Sequence, residues 1–231
     1  MFNRAKVKYQ AKLRINQNRR YFINISFLWY LVSLAFVSFF VDVESYDISI
    51  YILGLAVKQC SWTEGFVYVQ RFFMWSIVFH ILVLYPFEYG FKHLFRKSIQ
   101  TDVKYSDLLI GFKQGYSKVM ATLLIRDMIT VIGTVFFVIP GLICNYGFRF
   151  VPYLMEDYPE KTTMELLKLS FKMTSKYKFK LFLLDCSFIG WKIASKLTGG
   201  LSDLYFTSYQ GLTEASIYEI VKNSGRDLSD H

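Results

Sequence analysis

The chain of 231 residues is poor in charge: 19% of its residues are Asp, Glu, Lys or Arg, against roughly 25% in an average soluble domain. It has three cysteines, at 60, 144 and 186, with no paired spacing, which argues against a disulfide scaffold. Its three histidines (80, 93 and 231) are far apart, and none has a metal-ligand partner at helical spacing. There is no Gly-rich phosphate loop, no HExxH and no GxSxG. No Pro/Gly linker or low-complexity tract divides the chain. What is abundant is apolar bulk: 53% of residues are hydrophobic, including 23 Phe and 17 Tyr. A disordered chain would be polar and poor in aromatics. A soluble domain of this length could not easily bury so much while covering itself with so few charges, so the composition favours a membrane protein.

A bilayer core of ~30 Å needs about 20 apolar residues in a helix. The stretch 21–41 has no charged residue, is followed by acids, and reads as a retained first span. The second candidate is 66–87, with Arg71 and His80; the third is 119–139, with Arg126 and Asp127. Pro140-Gly141 breaks that run, and since Pro is tolerated at a helix start, a fourth helix is expected from Pro140 to about Asp157. A fifth run, 179–193, holds Asp185, and a sixth, 201–221, holds Asp203, Glu214 and Glu219. The expected fold is all-α: a polytopic transmembrane bundle of about six spans with cytoplasmic amphipathic helices. The expected organisation is a basic cytoplasmic arm (1–20), one helical domain (21–221) and a short cytoplasmic tail (222–231).

Lys and Arg are retained on the cytoplasmic side. Residues 1–20 hold seven basic residues and no acid, 42–65 four acids and one Lys, 92–118 six basic and two acidic, and 156–180 six basic and four acidic. This pattern places both termini in the cytoplasm of a plasma-membrane protein. The net charge of +9 lies beside the hydrophobic spans, so anionic lipid, not nucleic acid, is the expected partner of the basic face. The arm from Val7 to Ile15 alternates apolar and polar residues, formally a strand signal, but a lone strand has no pairing partner and a basic interfacial helix is preferred. Thr162–Thr174 is expected to be an amphipathic helix, capped by Thr162 or Thr163 with Glu165 in its first turn; Ser106–Gln114 is a second candidate. His93, in a basic loop, is expected to be solvated. Cys144 and Cys186 read as small core residues.

Seven stretches carry a family resemblance: PFEYGFKHLF (86–95), YSDLLIGFKQ (105–114), LLIRDM (123–128), FVIPGLI (137–143), FRFVPYLMEDYP (148–159), ELLKLSFKM (165–173) and KLFLLDCSFIGW (180–191). In order and spacing the chain resembles the bacterial integral membrane family catalogued as domain of unknown function 975, over roughly residues 80–220. The resemblance implies a polytopic plasma-membrane protein and brings no activity, cofactor or catalytic residue.

Counting each membrane charge from the cytoplasmic end of its own helix at ~1.5 Å per residue puts His80, Arg126, Asp127, Arg149, Asp185 and Glu214 all about 9 to 12 Å deep. Six ionisable groups at one level admit three readings: a buried structural network, residues touching the cytoplasmic interface of short spans, or a water-filled vestibule that binds a polar ligand or relays protons. Arg126 and Asp127 are about 100° apart on a helix and are not expected to face each other, so Asp185 is the expected partner of Arg126. Arg71 is expected to snorkel to the outer face. No cofactor or metal is implied. The functional expectation is a non-enzymatic protein that binds or moves a small polar or amphipathic ligand or protects the envelope. The alternative is a structural or partner-binding subunit of a membrane complex, and an intramembrane enzyme ranks third.

Overall fold

A computed structural model describes residues 3–32, 70, 74–101, 103–113 and 115–226. Cys60 with its predicted outer loop, Arg71, the far half of the first predicted span and the tail with His231 lie outside the described residues. Every regular element among those described is helical.

Helix α1 (Arg4–Gln17) is started by Asn3, whose side-chain oxygen accepts from the N–H groups of Ala5 and Lys6. Val7, Ala11 and Ile15 are buried, and α1 packs along the last helix. The arm is therefore a helix, as preferred, but part of the folded core; Arg14 ties it to the end of α3 by donating to the Ser98 carbonyl at 2.6 Å. Helix α2 covers residues 19–32 up to the edge of the described region. The buried Ser26 and Ser208 hydroxyls join it to the last helix at 2.7 Å.

Helix α3 runs over Met74–Gln100, well past the predicted end of the second span at Phe87. A π-helical turn at His80–Leu84 precedes Pro86. Pro86 has no N–H for the carbonyl of Leu82, and that carbonyl accepts from the Tyr116 hydroxyl instead, at 2.9 Å. Beyond Pro86 the helix continues because Tyr89, Leu94 and Phe95 are buried. The second predicted amphipathic segment forms a 3₁₀ turn at Tyr105–Leu109 and a short helix α4, Ile110–Lys113, both packed on α3. The Asp107 carboxylate accepts from the Lys104 N–H and the Lys97 ammonium, each at 2.9 Å. Burial acts to raise its pKa, but these two donors outweigh it and hold the carboxyl below its ordinary range.

Helix α5 (Tyr116–Phe136) and helix α6 (Val138–Gly147) form a tight hairpin around one extended residue, Phe137. The break falls three residues before the expected Pro140-Gly141. Close approach of the two helices explains the position: a Cβ on Gly141 would stand 2.1 Å from the Thr134 hydroxyl oxygen, so only glycine fits there. The fourth predicted span, Pro140–Asp157, is not one helix. It breaks at residues 148–150 between α6 and α7 (Val151–Asp157). The Ser170 and Thr174 hydroxyls satisfy the Gly147 carbonyl at that break, at 2.8 and 3.1 Å. Helix α8 (Thr163–Thr174) carries the expected capping box, in which the Glu165 carboxylate accepts from the Thr162 N–H and hydroxyl, both at 2.8 Å. The fifth predicted span is likewise broken, at Ser187–Phe188, into α9 (Lys178–Cys186) and α10 (Ile189–Leu197). Helix α11 (Asp203–Arg226) is continuous.

The buried core gathers α1, the second half of α3, α7, α8 and α11 around Leu94, Phe150, Tyr153, Leu154, Leu166, Ile217 and Tyr218. Apolar side chains are instead exposed on the first half of α3 (Met74, Trp75, Ile77, Val78), the second half of α5, α6 and α10. At the α5–α6 tip Val135 to Ile139 are 65–78% exposed without one polar residue. Two of the described helices, Met74–Gln100 and Tyr116–Phe136, are long and apolar enough to cross a membrane.

Candidate functional site

A cavity of about 270 Å³ opens where α3, α5, α6, α9 and α11 converge. Five of the six residues predicted to share one level line it: Arg126 and Asp127 from α5, Arg149 from the α6–α7 break, Asp185 from α9 and Glu214 from α11. The sixth, His80, is exposed and sits edge-on against Tyr85 at 4.9 Å, and Tyr85 in turn donates to Asp127 at 2.8 Å. His80 thus stands one side chain away from the cavity.

The pairing differs from expectation. Arg126 does not reach Asp185; its guanidinium donates to both carboxylate oxygens of Glu88 at 2.8 and 3.1 Å and to Asp127 at 2.7 Å. The 100° between neighbouring positions separates their Cβ directions, and an arginine is long enough to curl back across that angle. Asp185 belongs to Arg149, which holds it through two hydrogen bonds of 2.9 and 3.1 Å in the fork geometry suited to a carboxylate. The second oxygen of Glu214 lies 3.5 Å from Arg149, and its first accepts from Lys92 at 2.6 Å. Glu214 is 5% exposed, so this double pairing is what makes its burial tolerable.

The apolar run ends at Phe87, so hydropathy alone gives no signal for Glu88 and Lys92, which lie just beyond it. They stand four residues apart, on one face of a continuing helix, and each meets a polar-layer residue. Thr130, Asn145, Tyr146 and Gln210 complete the lining. The amides of Asn145 and Gln210 have no hydrogen bond among the described residues.

A second ionic cluster lies further along α3 and α11. Arg96 binds Asp157 and Glu219 at 2.7 Å each and Glu156 at 3.2 Å, and Lys222 meets Asp157 at 2.6 Å. His93 corrects its expected solvation: it lies on α3, is 11% exposed and stands 3.2 Å from Glu156. Every carboxylate here has a basic partner, and the cluster joins α3, α7 and α11. Among the described residues no group of three or more His, Cys, Asp or Glu is placed to hold a metal ion. Cys144 and Cys186 are free thiols.

Fold and cavity together define an all-helical protein with an apolar exposed belt and an internal charged chamber. Residues 114–224 match the model of the family described as Protein of unknown function (DUF975), the family that the sequence resembles. The match starts where the 105–114 stretch ends, so α3, with Glu88 and Lys92, lies ahead of it. No curated protein and no solved structure matches the chain.

Proposed function

We propose that this is a multi-pass plasma-membrane protein, both termini cytoplasmic, whose charged cavity holds a small polar or amphipathic ligand without converting it. The observation that carries this reading is the chamber itself. It is close to the lower limit of ~300 Å³ for ligand pockets, and its charges are already paired. Its two amides, Asn145 and Gln210, make no hydrogen bond among the described residues, which suits convergent polar groups that recognise a ligand. Breaks in α6–α7 and α9–α10 beside Arg149 and Asp185 suit a membrane protein, where irregular backbone is tolerated if it lines a cavity. The exposed apolar belt faces lipid in this reading. Anionic lipid lies against α8, where Lys168 and Lys172 flank a groove of about 360 Å³ lined by Ile129, Phe148, Met164, Leu167 and Phe171.

The test is native mass spectrometry of the full chain extracted from its own membranes in an uncharged detergent. A small-molecule adduct is expected on the wild type and absent from Asn145→Trp, which fills the chamber. A bare wild-type chain, or an adduct unchanged by the substitution, would overturn the proposal. A stoichiometric protein partner in its place would favour the role of a membrane-complex subunit.

A further inference from the structure

A second cavity, of about 330 Å³, lies on the other side of the Lys92–Glu214 pair, between α2, α3 and α11. It shares Glu88, Lys92, Gln210 and Glu214 with the charged chamber, so the two spaces adjoin. Its chemistry is different. Four aromatic side chains wall it, Trp29, Phe91, Phe95 and Phe206, with Trp29 and Phe91 edge to face at 4.8 Å. Its ionisable groups are three carboxylates, Glu88, Asp203 and Glu214, against the single ammonium of Lys92. The chamber behind it has four carboxylates, Glu88, Asp127, Asp185 and Glu214, against Lys92, Arg126 and Arg149.

Counted once, the two adjoining linings hold five carboxylates, Glu88, Asp127, Asp185, Asp203 and Glu214, against Lys92, Arg126 and Arg149, an excess of negative charge, and the second space adds aromatic faces. Aromatic faces and carboxylates together recognise an organic ammonium: the ring quadrupole attracts the cation while the ring surface covers its carbon groups. An anion would meet that excess of carboxylates, and Asp203 in the aromatic space has no basic partner among the described residues. The protein already realises this recognition internally, because the Lys92 ammonium sits 2.6 Å from Glu214 and 5.7 Å from the centre of the Tyr153 ring.

We infer that the ligand is an organic ammonium with an apolar body, the body seated among Trp29, Phe91, Phe95 and Phe206 and the cationic head directed to Asp203, Glu88 and Glu214. This rests on the reading of the chamber as a ligand site and names the ligand's chemical class. Lys92 then acts as a built-in competitor, and its removal strengthens binding. A misfolded variant cannot imitate that outcome.

The experiment is isothermal calorimetry of the full chain in uncharged detergent, with benzyltrimethylammonium as probe and phenylmethanesulfonate as its anionic counterpart. Saturable one-site binding of the cation is expected, with none of the anion. Lys92→Met should bind the cation about tenfold tighter, and Trp29→Ala or Asp203→Asn about tenfold more weakly, on the scale of one desolvated cation–π contact or charge pair. Equal binding of the anion, absent binding by both wild type and Lys92→Met, or weaker binding by Lys92→Met would overturn the inference. If the cation fails while the Asn145-sensitive adduct persists, the ligand class falls and the proposed site stands; if the adduct is absent too, both fall.

Discussion

Arg149 and Asp185 face each other through two hydrogen bonds, 2.9 and 3.1 Å long, with side chains 12% and 22% exposed. Removing one member of a buried pair costs ~3 to 5 kcal/mol because a charge is left without its partner. Asp185→Ala falls below that range, since Arg149 keeps Glu214 at 3.5 Å. The expected loss is about 2 to 3 kcal/mol, that of one or two charge-assisted hydrogen bonds. Arg149→Ala costs more, ~3 to 5 kcal/mol, because it strips the guanidinium from Asp185 and Glu214 together. Without both groups no uncompensated charge remains at this pair, so the double variant should recover ~1 to 3 kcal/mol relative to the sum of the singles. The control is the cycle of Arg126 and Asp185, residues without a mutual bond, which should be additive within ~0.5 kcal/mol. Reversible unfolding of the purified chain in mixed micelles measures the free energies of the wild type and the five variants. Coupling between Arg126 and Asp185, with additivity between Arg149 and Asp185, would refute the assignment.

Three further outcomes follow from local geometry. Gly141→Ala should loosen the α5–α6 hairpin by ~1 to 3 kcal/mol, the usual cost of overpacking, because the new methyl would stand 2.1 Å from the Thr134 hydroxyl oxygen and 2.6 Å from the Thr134 Cα; thermal melting checks this, and Thr134→Ala, which leaves the Cα in place, should not restore the full loss. Glu165 is held below its ordinary carboxylate range by the Thr162 N–H and hydroxyl, so it stabilises the start of α8 above the ordinary Glu value near ~4.3, and that contribution vanishes as pH falls through the lowered one; hydrogen exchange in α8 should accelerate on acidification, and Glu165→Gln should blunt the dependence. Glu88→Ala should destabilise the fold more than Asp127→Ala, because Glu88 takes two of the three carboxylate bonds of Arg126, and the same unfolding assay ranks them.

How much was legible depends on whether a feature is local. The α8 capping box was, because Thr162 and Glu165 are three residues apart and their bonds involve nothing else. Counting along the predicted spans put Arg126, Asp127, Arg149, Asp185 and Glu214 at one depth, and the structure places all five around one cavity. Their pairing was not legible: counting gives depth and leaves rotation about the helix axis unknown, so Asp185 was matched to the wrong arginine. Glu88 and Lys92 were hidden because hydropathy marks where a helix could leave lipid, not where it ends; the second half of α3 is held by Tyr89, Leu94 and Phe95 against other helices. The hairpin break at Phe137 is set by the contact of Gly141 with Thr134, a tertiary constraint that the Pro140-Gly141 signal only approximates. In α1 the alternation of Val7, Tyr9, Ala11, Leu13 and Ile15 concealed a four-residue spacing: Val7, Ala11 and Ile15 are buried while Tyr9 and Leu13 are exposed.

The central claim is that a solvent-reachable ligand chamber sits beside a lipid-facing belt. It is tested most directly by placing a single cysteine at either place, in a chain with Cys60, Cys144 and Cys186 changed to Ser. In inside-out membrane vesicles, Asn145→Cys, on the chamber wall, should react with a membrane-impermeant maleimide, and benzyltrimethylammonium should slow that reaction. Phe137→Cys, at the apolar hairpin tip, should stay unlabelled in the same vesicles. Labelling of the tip with a silent chamber would contradict the account.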